Sequence, residues 1–349
     1  MASVIQRRLK DMMLNIQVMH VCGTHQDTLE RYGLNPLLKD SGIIVRQGPG
    51  CPVCVTTSHE YEMAMTLARG GKTLVTFGDA ARVPGRRGSL LDLRGEGCDI
   101  RVVYGVEDAI EIARTTESEV VFFAVGFETT APGTAMSLLK EPPSNFSVLS
   151  CHRYIPPVLD SLLGMGEFKP DGLIQPGHVS AIIGLQPYEA LAKKYRLPQV
   201  IAGFEPLDLL MAIYMIAKQV SKGEARVENE YTRVVHPEGN TKALKALDDV
   251  FVPRDLAWRG FATIPNSGMG LLPRFSDWDA ERIYQDELSN VPSDDEKRGC
   301  RCGDILRGVI ESHECPLFGK ICTPANPVGP CMVSIEGSCG IEYRHRKTS

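Results

Sequence analysis

No stretch of this chain is apolar for long enough to cross a bilayer. The longest such run, Leu209–Ala217, falls far short of the ~20 residues a membrane helix needs. Basic charge is not in excess either: 38 Lys and Arg face 43 Asp and Glu, and the formal net charge is -5. With no basic stripe to neutralise phosphates, a nucleic-acid partner is not expected, and Arg86-Arg87 and Arg344–Lys347 read as solvated loop and tail. Met1–Lys10 carries Arg7, Arg8 and Lys10 with no apolar stretch behind them, so no secretory leader is visible. The expectation is a cytoplasmic protein without a membrane partner. Neither Gly-x-Gly-x-x-Gly nor a Walker A loop occurs, which leaves a bound nucleotide unsupported. Charged content of 23% against 43% hydrophobic rules out wholesale disorder.

What the chain does have is cysteine. Eleven in an expected cytosolic protein point to metal or redox chemistry rather than to a disulfide framework, and an odd count precludes complete pairing. The first group lies in Gly48-Pro49-Gly50-Cys51-Pro52-Val53-Cys54, between the apolar run Gly42–Gln47 and a helix signal. Thr57 and Glu60 have capping-box spacing, which predicts a helix just after the cysteines. Cys22-Gly23-Thr24-His25 has the same setting at the end of Ile16–Val21. Thiols at helix N-termini face unpaired N–H groups, which favour thiolate. In a parallel sheet both loops lie at the carboxyl ends of strands, so Cys22, Cys51 and Cys54 are expected to face one crevice. These spacings alone leave three chemistries open: zinc completed by His25, a thioredoxin-type redox pair, or a special metal site.

Apolar, β-branched runs alternate with helical patterns through the first two-thirds. Strands are predicted at Ile16–Val21, Gly42–Gln47, Thr73–Phe77, Arg101–Tyr104, Val120–Val125, Ser147–Ser150, Gly172–Gln175 and Gln199–Ala202. Such alternation means parallel sheets with crossover helices, here two α/β domains split near Thr115–Glu119. Gly126-Phe127-Glu128 and Gly203-Phe204-Glu205 form a short repeat, a weak hint of duplication. Turn chemistry explains Glu205; Glu128 and His178 are as readily turn residues as functional ones. The isolated Cys98 and Cys151 read as small hydrophobes. Tyr231–His236 suggests a strand, Lys242–Val250 a helix, and Val252–Pro273 a segment wrapping back over the α/β units. Asp277–Arg298 reads as a solvated acidic helix with a linker.

Six cysteines fall in the last 50 residues: Cys300, Cys302, Cys315, Cys322, Cys331 and Cys339. A segment this rich in Gly and Pro cannot build its own core, so covalent or metal links should hold it. Four thiolates suit zinc or an iron–sulfur cluster. The spacings match neither the bacterial ferredoxin run nor the Cys-x3-Cys-x2-Cys of radical S-adenosylmethionine enzymes, and they do not sort ligands from redox thiols.

Together, Cys22–His25, Gly48–Cys54, Phe123–Pro132, Gln175–Ser180 and Cys300–Cys339 closely resemble the HypD family of hydrogenase maturation proteins. The resemblance implies a scaffold on which iron receives cyanide and CO to make the Fe(CN)2CO unit of [NiFe]-hydrogenase. By the same resemblance it would act with a HypC-like chaperone and a HypE-like cyanide donor, as an assembly scaffold with iron–sulfur and dithiol redox activity. It also implies two α/β domains, 1–116 and 117–235, and a small cysteine-rich iron–sulfur domain, 236–349. Cys22 would bind the mononuclear iron, assisted by Cys51 and Cys54 as ligands or redox pair, with His25 as a hydrogen-bond donor at the iron. Cys300, Cys315, Cys322 and Cys339 would hold a [4Fe–4S] cluster, with Cys302 and Cys331 as the adjacent dithiol. The rival reading is a cluster-dependent protein disulfide oxidoreductase without mononuclear iron.

Overall fold

The computed structural model describes residues 2–292 and 299–346. Part of the acidic segment Asp277–Arg298 and the end of the basic tail Arg344–Lys347 therefore lie outside the described residues. Eleven strands are described: β1 (Ile16–His20), β2 (Ile43–Gln47), β3 (Thr73–Thr76), β4 (Ile100–Val102), β5 (Val120–Gly126), β6 (Phe146–His152), β7 (Gly172–Pro176), β8 (Gln199–Ala202), β9 (Val227–Asn229), β10 (Phe251–Ala257) and β11 (Thr263–Leu271). The first nine form two all-parallel sheets, ordered β2-β1-β7-β8-β9 and β4-β3-β5-β6. Every residue of β5 and β6 is buried, as expected for parallel strands covered on both faces, and this is why β5 reads as a continuous apolar run.

The two sheets are not divided as the sequence suggested. The boundary at 116/117 cuts the second sheet between β4 and β5, while the first sheet takes β1 and β2 from one side and β7 to β9 from the other. After β2 the chain leaves, builds the whole β3–β6 sheet, and returns to pair β7 with the free edge of β1, Val18 opposite Gly172. Strand-and-helix alternation cannot say which earlier strand a later one will join. The 236–349 range is also composite. The helix Thr241–Val250 and the antiparallel hairpin β10–β11 pack on the second sheet, with Ala246, Val250, Phe251 and Met269 sharing a core with Phe122 and Val148. Ser150 Oγ donates to Met269 O at 2.7 Å, fastening the hairpin to β6. Only the stretch from residue 299 on forms the cysteine-rich unit.

Smaller differences have local causes. After β7 the chain forms two helices, Gly177–Ile183 and Gln186–Tyr195, rather than one, broken at Gly184 with φ 69°. A side chain there would meet Pro237 O at 2.3 Å, so this position requires glycine. Tyr231–His236 is not a strand; the short β9 precedes it.

In each sheet the first strand in the chain has its second strand on one side and its third on the other. The switch point, where ligand crevices form in such sheets, is therefore between β1 and β7 in one and between β3 and β5 in the other. The Gly-Phe-Glu repeat follows β5, the third strand of its sheet, but β8, the fourth strand of the other. The repeat occupies non-equivalent places and carries no duplication.

Candidate functional site

Cys22 stands at the end of β1, at the first sheet's switch point, as the N-cap of the helix Gly23–Arg31. The N–H groups of Thr24 and His25 and the Thr24 side chain act to lower its thiol, although its sulfur makes no capping bond to the helix. These donors favour thiolate, as the sequence reading expected. Burial outweighs them: the residue is 7% exposed, and desolvation, followed by the charge of Glu336, pushes the thiol up to about 12. The second loop lies directly against it, since a side chain on Gly50 would come within 2.3 Å of the Cys22 amide nitrogen.

Cys51 caps the short helix Pro52–Val55, with Pro52 in its first turn, and is joined to Cys54 by a disulfide. Both are fully buried, and the Cys54 N–H also points at the Cys51 sulfur, at 3.1 Å. In this oxidised state Cys22 keeps the only free thiol of the three. The capping box expected at Thr57 and Glu60 is formed and opens the helix Ser58–Arg69.

His25 is buried next to these thiols. Its Nε2 lies 3.0 Å from Gly203 O and 3.3 Å from Ala202 O. Carbonyls only accept, so Nε2 carries the ring proton and spends it on the end of β8. Burial lowers the ring to about 3, which keeps it neutral and leaves Nδ1 as a bare acceptor. The imidazole proton expected to serve as a donor at the iron is directed to the end of β8 in this structure. Phe204 lies between His25 and His178, with ring centroids at 5.1 and 3.9 Å.

All six tail cysteines line one small cavity, together with Leu317, Phe318 and Met332. It is nearly closed by its own side chains, with a cavity volume of about 10 Å³. Cys302 and Cys331 face each other at 2.6 Å between sulfurs. Around them the Val328 N–H donates to the Cys322 sulfur at 3.3 Å, and the Ser312 side chain bonds that of Cys339. Desolvation, then the neighbouring charge of Cys302, pushes Cys300 up to about 12. Gly329 keeps the wall open, as a Cβ there would sit 2.6 Å from the Cys300 sulfur. Among the described residues no three His, Cys, Asp or Glu side chains converge as a single metal ion would require. The sulfurs surround a space rather than a point.

The cysteine-rich unit is fastened onto the disulfide loop. The short helix Pro330–Val333, which holds Cys331, contacts the helix Pro52–Val55. A side chain on Gly23 would collide with Glu336, and Ser334 Oγ donates to Asp79 at 2.9 Å. From the hairpin, the Arg259 N–H reaches Val55 O at 2.8 Å while its guanidinium holds Thr56 O. The disulfide thus lies between the Cys22 loop and the wall of the cysteine cavity.

Several of these residues carried no usable signal. Arg153 is 0% exposed and pairs with Glu60 at 2.5 Å, while also donating to Cys151 O and Ala257 O. Glu60 had been assigned only its capping role, and Arg153 is one charge after an apolar strand. Glu336 and Asp79 stood in short polar turns; the one clue was Glu336 lying three residues before Cys339. Cys151 is buried as a small hydrophobe, as expected, and Cys98 is half-buried. Glu128 is fully buried, accepts from the Ile155 N–H at 2.8 Å, and is raised to about 8 by desolvation.

Comparison with known proteins shows the family. Residues 1–346 match the HypD family model, described as the hydrogenase formation hypA family. A Methanocaldococcus jannaschii protein named for hydrogenase expression and formation is 48% identical over 346 residues, covering 97% of this chain and 95% of its own. The hydrogenase maturation factor HypD2 of Bradyrhizobium diazoefficiens is 43% identical, covering 94% and 88%. HypD of Escherichia coli is 40% identical, covering 95% and 90%. With the family model spanning nearly the whole chain and relatives this similar over their own length, the chain belongs to the HypD family of hydrogenase maturation factors.

Proposed function

We propose that the chain is a cytoplasmic assembly scaffold on which a substrate iron, held by Cys22, receives cyanide and CO to become the Fe(CN)2CO unit of [NiFe]-hydrogenase. A HypC-like chaperone supplies the ligands that one buried thiol cannot, and a HypE-like protein delivers cyanide. The observation that carries this reading is the order of the sulfurs: one free thiol at a switch point, a disulfide loop packed against it, and a six-cysteine cavity beyond. Thiolate with cyanide or CO suits low-valent iron.

The disulfide sets how many sulfurs the crevice offers. Reduction takes up two electrons and two protons, breaks the Cys51–Cys54 bond and returns two thiols beside Cys22. The cavity fits a [4Fe–4S] cluster by its soft donors, its apolar lining and the N–H and hydroxyl groups aimed at sulfur. Cys300, Cys315, Cys322 and Cys339 would hold it, with Cys302 and Cys331 as the neighbouring dithiol. Bound there, it would supply electrons singly. Among the described residues no helix is long and apolar enough to cross a membrane.

Anaerobic purification with a HypC-like partner, followed by infrared spectroscopy of bound CO and cyanide, tests the scaffold. Diatomic bands that vanish in Cys22→Ala support it; bands unchanged in that variant overturn the iron assignment. The disulfide itself favours a second reading, a protein disulfide oxidoreductase without mononuclear iron. Reduction of a partner disulfide without diatomic bands would select that one. For the tail, anaerobic reconstitution should give about four irons per chain with cubane absorption. Stoichiometric zinc without that spectrum refutes the cluster, and Cys315→Ala or Cys322→Ala should lose it.

A further inference from the structure

A cavity of about 610 Å³ runs along the open edge of β2, behind one wall of the cysteine cavity. β2 pairs only with β1. The bonds Ile16 N–H to Gly42 O and Gly48 N–H to His20 O fix which residues face that partner. Gly42, Ile44, Arg46 and Gly48 turn to β1, so the N–H and C=O groups of Ile43, Val45 and Gln47 point out into the slot. Among the described residues none of these six groups has a hydrogen-bond partner. An open strand edge is a template for another strand, and proteins ordinarily cover or blunt it. Here it is flanked instead by walls, from the helix Leu34–Lys39 on one side and residues 310–313 with the helix Ser338–His345 on the other.

Two further observations give the slot a chemistry. Gln47 is 8% exposed and lines it with both amide atoms unpartnered, as is Asn35 Oδ1. Buried amides in this condition call for an occupant that both donates and accepts. Glu30, Glu311 and Glu342 also converge on the slot. Glu311 is paired with Arg46 at 2.9 Å and Glu342 meets His313 at 3.1 Å. Glu30 receives only the neutral amides of Gln26 and Asn35, and no Lys or Arg pairs with it among the described residues. Desolvation, and then the charge of Glu311, raises its carboxyl, which a cation would relieve.

We propose that this slot receives an extended segment of a partner protein, which adds a strand to β2 and places a Lys or Arg side chain on Glu30. Backbone pairing supplies affinity, and alternate side chains supply selectivity. The proposal does not rest on the iron reading.

The test uses the full-length protein and three capped probes: an alternating Val-Lys hexapeptide, its Val-Glu counterpart, and the Val-Lys peptide N-methylated at every residue. Calorimetry and amide hydrogen exchange of segment 42–48 are read together. The Val-Lys peptide should bind saturably and protect 42–48, while the Val-Glu and N-methylated peptides bind about tenfold or more weakly. Glu30→Gln should weaken the Val-Lys peptide and remove most of its advantage over Val-Glu. Val45→Pro removes one outward donor on an edge that tolerates proline, and should abolish protection while circular dichroism stays unchanged. Equal binding of the N-methylated peptide to wild-type protein overturns strand addition. Absence of protection at about millimolar Val-Lys peptide overturns the docking site as a whole.

Discussion

The Glu60–Arg153 pair gives the most direct test of how the two halves of the site are held. Glu60 opens the helix behind the disulfide loop; Arg153 ends β6 and reaches the hairpin through Ala257 O. Both side chains are out of water, at 8% and 0% exposure. Removing one member leaves the other as an uncompensated buried charge, which costs about 3–5 kcal/mol. Glu60→Gln keeps an acceptor for the Thr57 capping bonds at 2.7 and 2.8 Å, so it isolates the charge and should cost about 3 kcal/mol. Arg153→Met strands the carboxylate and also drops the bonds to two backbone carbonyls, which places it near 5 kcal/mol, the upper end of the same range. The double variant should cost at least ~1 kcal/mol less than the sum, because no lone charge remains. Urea denaturation of the four proteins measures this cycle. Acid titration supplies an independent check. Burial pushes Glu60 up, but the charge and hydrogen bond of Arg153 outweigh it and the net shift is downward. Its stabilisation is therefore complete above the ordinary carboxyl range and lost as pH falls through the lowered value, and Glu60→Gln should flatten that limb. Additive single costs, or a coupling under ~0.5 kcal/mol, would refute the reasoning.

Cys22, buried and raised to about 12, should alkylate more than tenfold slower at pH 8 than an exposed thiol and faster as pH climbs; rapid labelling at pH 8 contradicts its environment. Removing the nearby charge with Glu336→Gln should speed that labelling. Glu128, raised to about 8 by burial, binds its proton more tightly folded than unfolded, so its contribution is complete below the ordinary Glu range. That contribution is lost as pH rises toward 8, and urea midpoints of Glu128→Gln should lack this decline; parallel pH curves argue against it. Gly50→Ala forces a methyl to within 2.2 Å of the Val21 carbonyl carbon and should cost about 1–3 kcal/mol while parting the two loops, read as a lower thermal midpoint and faster Cys22 labelling.

Local structure was well marked in the sequence because its causes are local. The eight predicted strands all exist within a residue or two, most plainly β5, whose full burial requires an apolar run. Thr57 and Glu60 announced their capping box by spacing alone. The Cys22 loop and the disulfide loop lie against each other because loops after adjacent parallel strands share one end of the sheet. Pairing across distance was not legible: nothing in Gly172–Pro176 says that it joins β1 rather than β6. The ionisation of Cys22 was missed for a related reason. The helix N-terminus that favours thiolate is written beside it, while the Glu336 that opposes it arrives from the far end of the chain.

The nesting of one sheet inside the other bears on how the protein is made. Residues joined across β1 and β7 are separated by 154 positions, so the first sheet cannot close until most of the chain has been synthesised. The intervening strands β3–β6 make their sheet with one another and are complete by His152. On a ribosome the inner sheet can form while β1 and β2 wait as a two-strand fragment. Once it has formed, the loop left to close shrinks to its two flanking crossings, reducing the entropic cost by about 1 kcal/mol. During that interval the free edge of β1, later covered by β7, is open to any other unpaired strand, a period when a newly made chain is most exposed to mispairing.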